Sequence, residues 1–215
     1  MRAILLIICI IISSPVSISG QGIDSLAYDV VRDAWSQYSS KFDDAAYADA
    51  QIGDPMPILS ASTDEILQYS YEDRFMSICE VVNYVFPVTS NYKTLAYMIV
   101  RRVDDCGEIK WELSSSVFSP SKDDSFGRAF NLREAFPEVM GYSVYYFFNP
   151  PCGDLCIIEN AENFLFSPVQ EHAQESDMKI GQIVNQHIAI RHMKACAEGI
   201  HEQTKDLKEG AIKVF

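Results

Sequence analysis

Basic residues are scarce in this chain. It carries 17 Lys and Arg against 30 Asp and Glu, a formal net charge of −13. A field of that sign repels phosphate backbones and anionic headgroups, so nucleic acid and membrane surfaces are not expected partners. The ordinary role of such acidity is a solvated surface that keeps the protein dissolved. Catalytic signatures are missing as well. There is no Gly-x-Ser-x-Gly elbow, no phosphate loop, no His-Glu-x-x-His and no EF-hand spacing. The chain has no Asn-x-Ser/Thr sequon, no internal repeat and no low-complexity linker. Nothing in it calls for a cofactor.

What is present starts at the N-terminus. Met1-Arg2 is a short basic start, Ala3 to Ile12 is unbroken apolar sequence, and Ser13, Ser14 and Pro15 end the run. Ser17 and Ser19 stand at the small-residue positions of a cleavage site before Gly20. This is the order of parts in a secretory leader, residues 1–19, which places the mature protein outside the cell or in a periplasm. As a helix the apolar run rises only about 15 Å, half a bilayer core, so a permanent span is not expected. About 195 residues remain, enough for one domain with a substantial core: an α+β domain over 23–170 and a helical extension over 171–215.

Cys9 leaves with the leader. Cys79, Cys106, Cys152, Cys156 and Cys196 remain, and in an oxidising compartment the odd number implies two bridges and one free thiol, or an intermolecular bond. A hairpin centred on Asn91 brings Cys79 to the far end of the ladder, beside Cys106. Cys152 and Cys156 flank a turn that can bring them to bridging distance. Their spacing is one residue too long for a redox CxxC.

Periodicity predicts a helix over Ser25 to Phe42, with Ala27, Val31, Trp35, Tyr38 and Phe42 on one face. Pro57 to Ala61 reads as a strand whose prolines place it at a sheet edge or strand start. Ser62 with Glu65 predicts a capped helix to about Tyr69. Val81 to Thr89, Lys93 to Val103 and Ile109 to Leu113 predict an antiparallel meander turned at Ser90-Asn91-Tyr92 and at Asp104-Asp105-Cys106-Gly107. A helix capped by Asp124 or Ser125 runs to Phe136, where Pro137 stops it. Strands follow at Gly141 to Phe148, Leu155 to Ile158 and Phe164 to Val169. Tyr142, Tyr145, Tyr146, Phe147 and Phe148 crowd the first of these and are expected mainly as core. The chain ends in a helix from about Ser176 to Lys205.

On that last helix Ile180, Ile183, Val184, Ile188, Ile190 and Ala195 form an apolar arc. His187 and Arg191 fall within it, and Glu198 continues their line. Such a row predicts hydrogen bonds across a groove or a dimer seam, or else an acid–base histidine with an arginine clamp. His192 and Cys196 sit four apart on another face. Two ligands do not make a zinc site, so no metal is expected.

The run Gly53-Asp54-Pro55-Met56-Pro57-Ile58, the capped helix, Phe86-Pro87-Val88, the hairpin and the Trp111 strand are similar to uncharacterised exported bacterial proteins with a small cystatin-like α+β domain. The resemblance covers about Tyr47 to Val169 and implies a non-catalytic role; the C-terminal helix falls outside it. The sequence therefore predicts an α+β fold, an antiparallel β-meander packed by an N-terminal helix and followed by a long C-terminal helix. The leading functional expectation is an exported module that binds a protein, a peptide or a small apolar ligand. The alternatives are a secreted hydrolase using a thiol or histidine, and a homodimer seamed by the C-terminal helix.

Overall fold

The computed structural model describes residues 23, 25–42, 45–71, 73–149, 153–160, 163–170 and 178–212, with residues 46, 109 and 201–212 given by backbone alone. The expected leader and Cys152 lie outside the described residues. In chain order the elements are α1 (Ser25–Ser39), α2 (Ala45–Ala48), β1 (Gln51–Ile52), β2 (Met56–Ser60), α3 (Thr63–Gln68), β3 (Glu80–Ser90), β4 (Lys93–Asp105) and β5 (Glu108–Phe118). These are followed by α4 (Ser125–Phe130), α5 (Leu132–Ala135), β6 (Ser143–Phe147), β7 (Leu155–Glu159), β8 (Phe164–Pro168), β9 (Val184–Asn185) and α6 (Gln186–Ile212). Short 3₁₀ turns occupy Phe75–Ile78 and Pro137–Val139.

The strands form one mixed sheet in the order β5-β4-β3-β2-β6-β7-β8-β9, with β1 beside β3. Two antiparallel meanders, β3–β4–β5 and β6–β7–β8, meet at the central strand β2. β2 runs antiparallel to β3 and parallel to β6, pairing Ile58 with Tyr146 and Leu59 with Phe147. Of the two positions expected for its prolines the structure shows the strand start, with Pro57 the second residue of β2, and not the sheet edge. Pro57 lacks an N–H; it lies opposite Tyr84 of β3 and before the two-residue pairing with β6 begins. Pro87 is accommodated in a similar way. It falls between the stretches of β3 that pair with β1 and β2, and its carbonyl accepts the Gly53 N–H at 2.8 Å.

Because side chains alternate along a strand, each meander buries both faces. On one face Val85, Tyr97, Ile58, Tyr146, Cys156 and Ile158 pack under α4, α5 and the Pro137–Val139 turn, through Ala129, Leu132 and Val139. The opposite face has two covers. The α1 helix lays Ala27, Val31 and Trp35 on Phe86, Val88, Met98 and Val100. Over the other half, α3 and α6 close on Leu59, Phe147, Leu155, Ile157 and Phe166, with Ile66, Ile190, Met193 and Ala197 as the helical contributions. The chain is thus a sheet between helical layers.

The expected caps are in place. Ser62 Oγ accepts the Glu65 N–H at 3.2 Å while Glu65 Oε2 accepts the Ser62 N–H at 2.8 Å, and Asp124 Oδ1 accepts the Gly127 N–H at 2.6 Å. The last helix differs from expectation. It begins at Gln186, and Val184–Asn185 is strand. Ile180, Ile183 and Val184 therefore do not belong to its apolar arc. The buried face is Ala189, Ile190, Met193, Cys196 and Ala197, while His187, Arg191 and Glu198 are exposed. The helix docks on its own chain. Lys194 Nζ donates to the Tyr69 carbonyl at 2.8 Å, and Gln186 Nε2 donates to the Tyr69 hydroxyl at 2.5 Å.

The described cysteines, Cys79, Cys106, Cys156 and Cys196, are free thiols, in contrast to the expected bridges. The Cys79–Cys106 pairing fails because Cys79 precedes β3. The Phe75–Ile78 turn carries it into the core, where its thiol meets the Phe75 carbonyl at 3.5 Å. Cys106 is exposed in the β4–β5 turn. Of the expected Cys152–Cys156 pair only Cys156 is described, a fully buried strand residue packed between the sheet and α4–α5. Burial pushes both the Cys79 and the Cys156 thiols far up from the ordinary range, which keeps them protonated and inert.

Candidate ligand cleft

The fold opens a cleft of about 450 Å³ between the α4–α5 pair, the end of β8 and the turn at Ile180-Gly181. Its position follows from three local features. First, Asp124 caps α4, and the close packing of Gly127 on the preceding segment sets where that helix starts. Second, the helix breaks at Asn131, which adopts φ −87° and ψ 4° and ends α4 before α5 begins. Leu132 then turns inward, and Ala135 and Phe136 line the cleft. The sequence predicts one continuous helix here. A residue in the sparsely populated bridge region interrupts it without any proline or glycine to announce the break.

Third, a buried polar chain fixes the opposite wall. The Asp154 carboxylate is 7% exposed, and it accepts the Tyr146 hydroxyl at 2.5 Å through Oδ2 and the Asn149 N–H at 3.0 Å through Oδ1. The Asp154 carbonyl accepts the Val169 N–H at 3.1 Å, and the Val169 carbonyl accepts Arg128 Nη1 at 2.9 Å. The turn after β6 is thereby coupled to the end of β8 and to a guanidinium at the cleft. Burial, then the adjacent Asp154 charge, drives the Tyr146 hydroxyl far above the usual phenol range, so it stays a donor.

The walls are mainly aliphatic, from Leu132, Ala135, Pro168, Val169 and Ile180, with Phe136 at one side. Lys122 and Arg128 add two positive charges and Glu134 one negative. In a chain of net charge −13 this is a local reversal of sign. The volume lies within the range of about 300–1,000 Å³ that small-molecule sites occupy. Apolar walls favour a hydrocarbon body, and the two cations favour an anionic end.

The polar row expected on the last helix lies elsewhere. His187 stacks on Tyr71 with ring centroids 4.6 Å apart, at the surface. Arg191 and Glu198 share that exposed flank. His192 and Cys196 are brought together, with Nε2 3.6 Å from Sγ. Cys196 is only 4% exposed and lines neither this cleft nor the cavity beside α3. Among the described residues no group of three or more His, Cys, Asp or Glu could hold a metal ion, and no helix is long and apolar enough to cross a membrane. The cleft itself escaped sequence reasoning. Its lining comes from separated stretches of the chain, whose convergence no local pattern announces.

No protein-family model, curated protein or solved structure matches the chain.

Proposed function

We propose that this protein is an exported, non-catalytic binding module whose cleft takes a small amphiphilic anion, a carboxylate on a short aliphatic chain. The observation that carries the reading is the cleft itself: aliphatic walls with Lys122 and Arg128 beside them, on an otherwise strongly acidic molecule. Export rests on the leader read in residues 1–19. The non-catalytic role is supported by the burial of three of the four described thiols, Cys79, Cys156 and Cys196. Dimerisation through the C-terminal helix has less in its favour, because Ala189, Ile190, Met193 and Ala197 of α6 already pack in the chain's own core.

Calorimetric titration of the mature protein with octanoate and with 1-octanol tests the reading. Octanoate is expected to bind more tightly by about three- to fivefold, the factor one partly exposed ion pair supplies. Lys122→Glu should erase that preference. Ala135→Trp, which places a large ring at an exposed wall position, should abolish binding of both. Equal affinity for the two probes, or octanoate binding untouched by Ala135→Trp, would overturn the proposal.

A further inference from the structure

A second cavity, of about 410 Å³, lies on the other side of the sheet, where the end of β2, the start of α3 and the buried face of α6 converge. Its chemistry differs from that of the cleft. Ile66, Met193, Ala197 and Ile200 supply apolar wall, and Ser60 and Thr63 supply hydroxyl-bearing edges. Among the described residues that line it, not one is ionisable. On a chain with 47 acidic and basic side chains (17 and 30), an uncharged lining selects against ions of either sign.

Asn149 borders this cavity and is 5% exposed. Its backbone is held by the bond from its N–H to Asp154, and the neighbouring Phe148 N–H donates to the Leu59 carbonyl at 2.8 Å. The side-chain Nδ2, however, is buried without an acceptor among the described residues. A buried amide donor left unpaired costs free energy, and such a group calls for a partner. The same space presents the hydroxyl-bearing side chains of Ser60, Ser62 and Thr63 beside the apolar wall of Ile66, Met193, Ala197 and Ile200, so an occupant there meets both polar and hydrocarbon surface. A carbonyl oxygen on an apolar body satisfies both demands: rotation of the Asn149 amide directs its N–H to the oxygen, and the body fills the space between Ile66 and Met193. Phe148, 45% exposed at the margin, provides apolar surface for the part of the ligand nearest solvent.

We infer that this cavity is a second, independent site for a neutral carbonyl-bearing small molecule, of the ketone, ester or amide class, recognised by the Asn149 side-chain amide. The inference does not rest on the anion cleft.

The test uses the isotope-labelled mature protein with cyclopentanone and cyclopentane as probes, observed by nuclear magnetic resonance. Cyclopentanone is expected to move the Asn149 side-chain NH₂ resonances, and cyclopentane is not. Asn149→Leu, which keeps volume and removes the donor, should lower the ratio of ketone to hydrocarbon affinity by about fivefold, the worth of one net hydrogen bond. Thr63→Trp should exclude both probes, whereas Ala135→Trp in the other cleft should exclude neither. If Asn149→Leu does not fold, the wild-type NH₂ resonances decide alone. Asn149 resonances that cyclopentanone leaves in place, or an affinity ratio unchanged in a folded Asn149→Leu protein, would overturn the inference.

Discussion

A methyl group on Gly127 would lie 2.5 Å from the Ser121 carbonyl oxygen and 2.7 Å from that of Lys122. Both neighbours are backbone, so neither can step aside as a flexible side chain would. Gly127→Ala is therefore expected to destabilise by about 2 kcal/mol or more, read as a lower urea midpoint, even though alanine is the better helix former. A second prediction at this scale concerns alkali. Burial, with the nearby Asp124 charge, pushes the Tyr97 hydroxyl up to about 12 from 10.0, and Tyr146 is driven up further. The folded chain holds protons that the unfolded chain releases. This contribution is complete below about pH 10 and is lost as pH rises toward the folded values. Urea midpoints should fall steadily above about pH 10, in step with tyrosinate absorbance; a flat profile would contradict the burial of these phenols. Some of these details are legible in sequence. Ser62 with Glu65 appears as read, and of the two caps expected for α4, Asp124 or Ser125, it is Asp124 that accepts from the Gly127 N–H one turn on. The buried Asp154 was not legible, because its partners Tyr146 and Asn149 reach it only once β6 and β7 have paired.

Among the elements, α6 shows how one boundary controls a face. Counting a helix from Ser176 admits Ile180, Ile183 and Val184 to the apolar stripe and draws its centre toward His187 and Arg191. Starting at Gln186 moves the centre to Ile190, Met193 and Ala197, roughly a third of a turn away. The consequence is measurable. Met193→Ala removes a fully buried side chain and is expected to cost about 2–5 kcal/mol in chemical denaturation. Arg191→Ala, on the exposed flank, should change stability by less than about 0.5 kcal/mol. The reverse order of effects would place the polar row inside and contradict the helix orientation. The β3–β4–β5 meander was legible because each turn and each strand lies within a short window. The β2–β6 pairing was not, because it joins Ile58–Leu59 to Tyr146–Phe147 in parallel across most of the domain, and a parallel pair needs a long crossover that no local pattern announces.

For the whole molecule, one sheet separates two cavities of opposite character. On one side Lys122 and Arg128 stand at an aliphatic cleft. On the other, Asn149 borders a space without charge. Each depends on tertiary convergence, which explains why the leader, length and composition led to the expectation of an exported globular domain while leaving its ligand open. On the proposed reading the acidity of the whole chain sharpens the cleft, since a carboxylate meets favourable charge where the sign locally reverses. The most direct measurement is a methyl-resonance map of the mature protein titrated with octanoate. The Leu132, Ala135, Val169 and Ile180 methyls should shift together and saturate with one binding constant. The α1-side core methyls, Val31, Val88 and Val100, should stay fixed. Octanoate that leaves the four cleft methyls unmoved, or that moves the α1-side methyls in their place, would contradict the account.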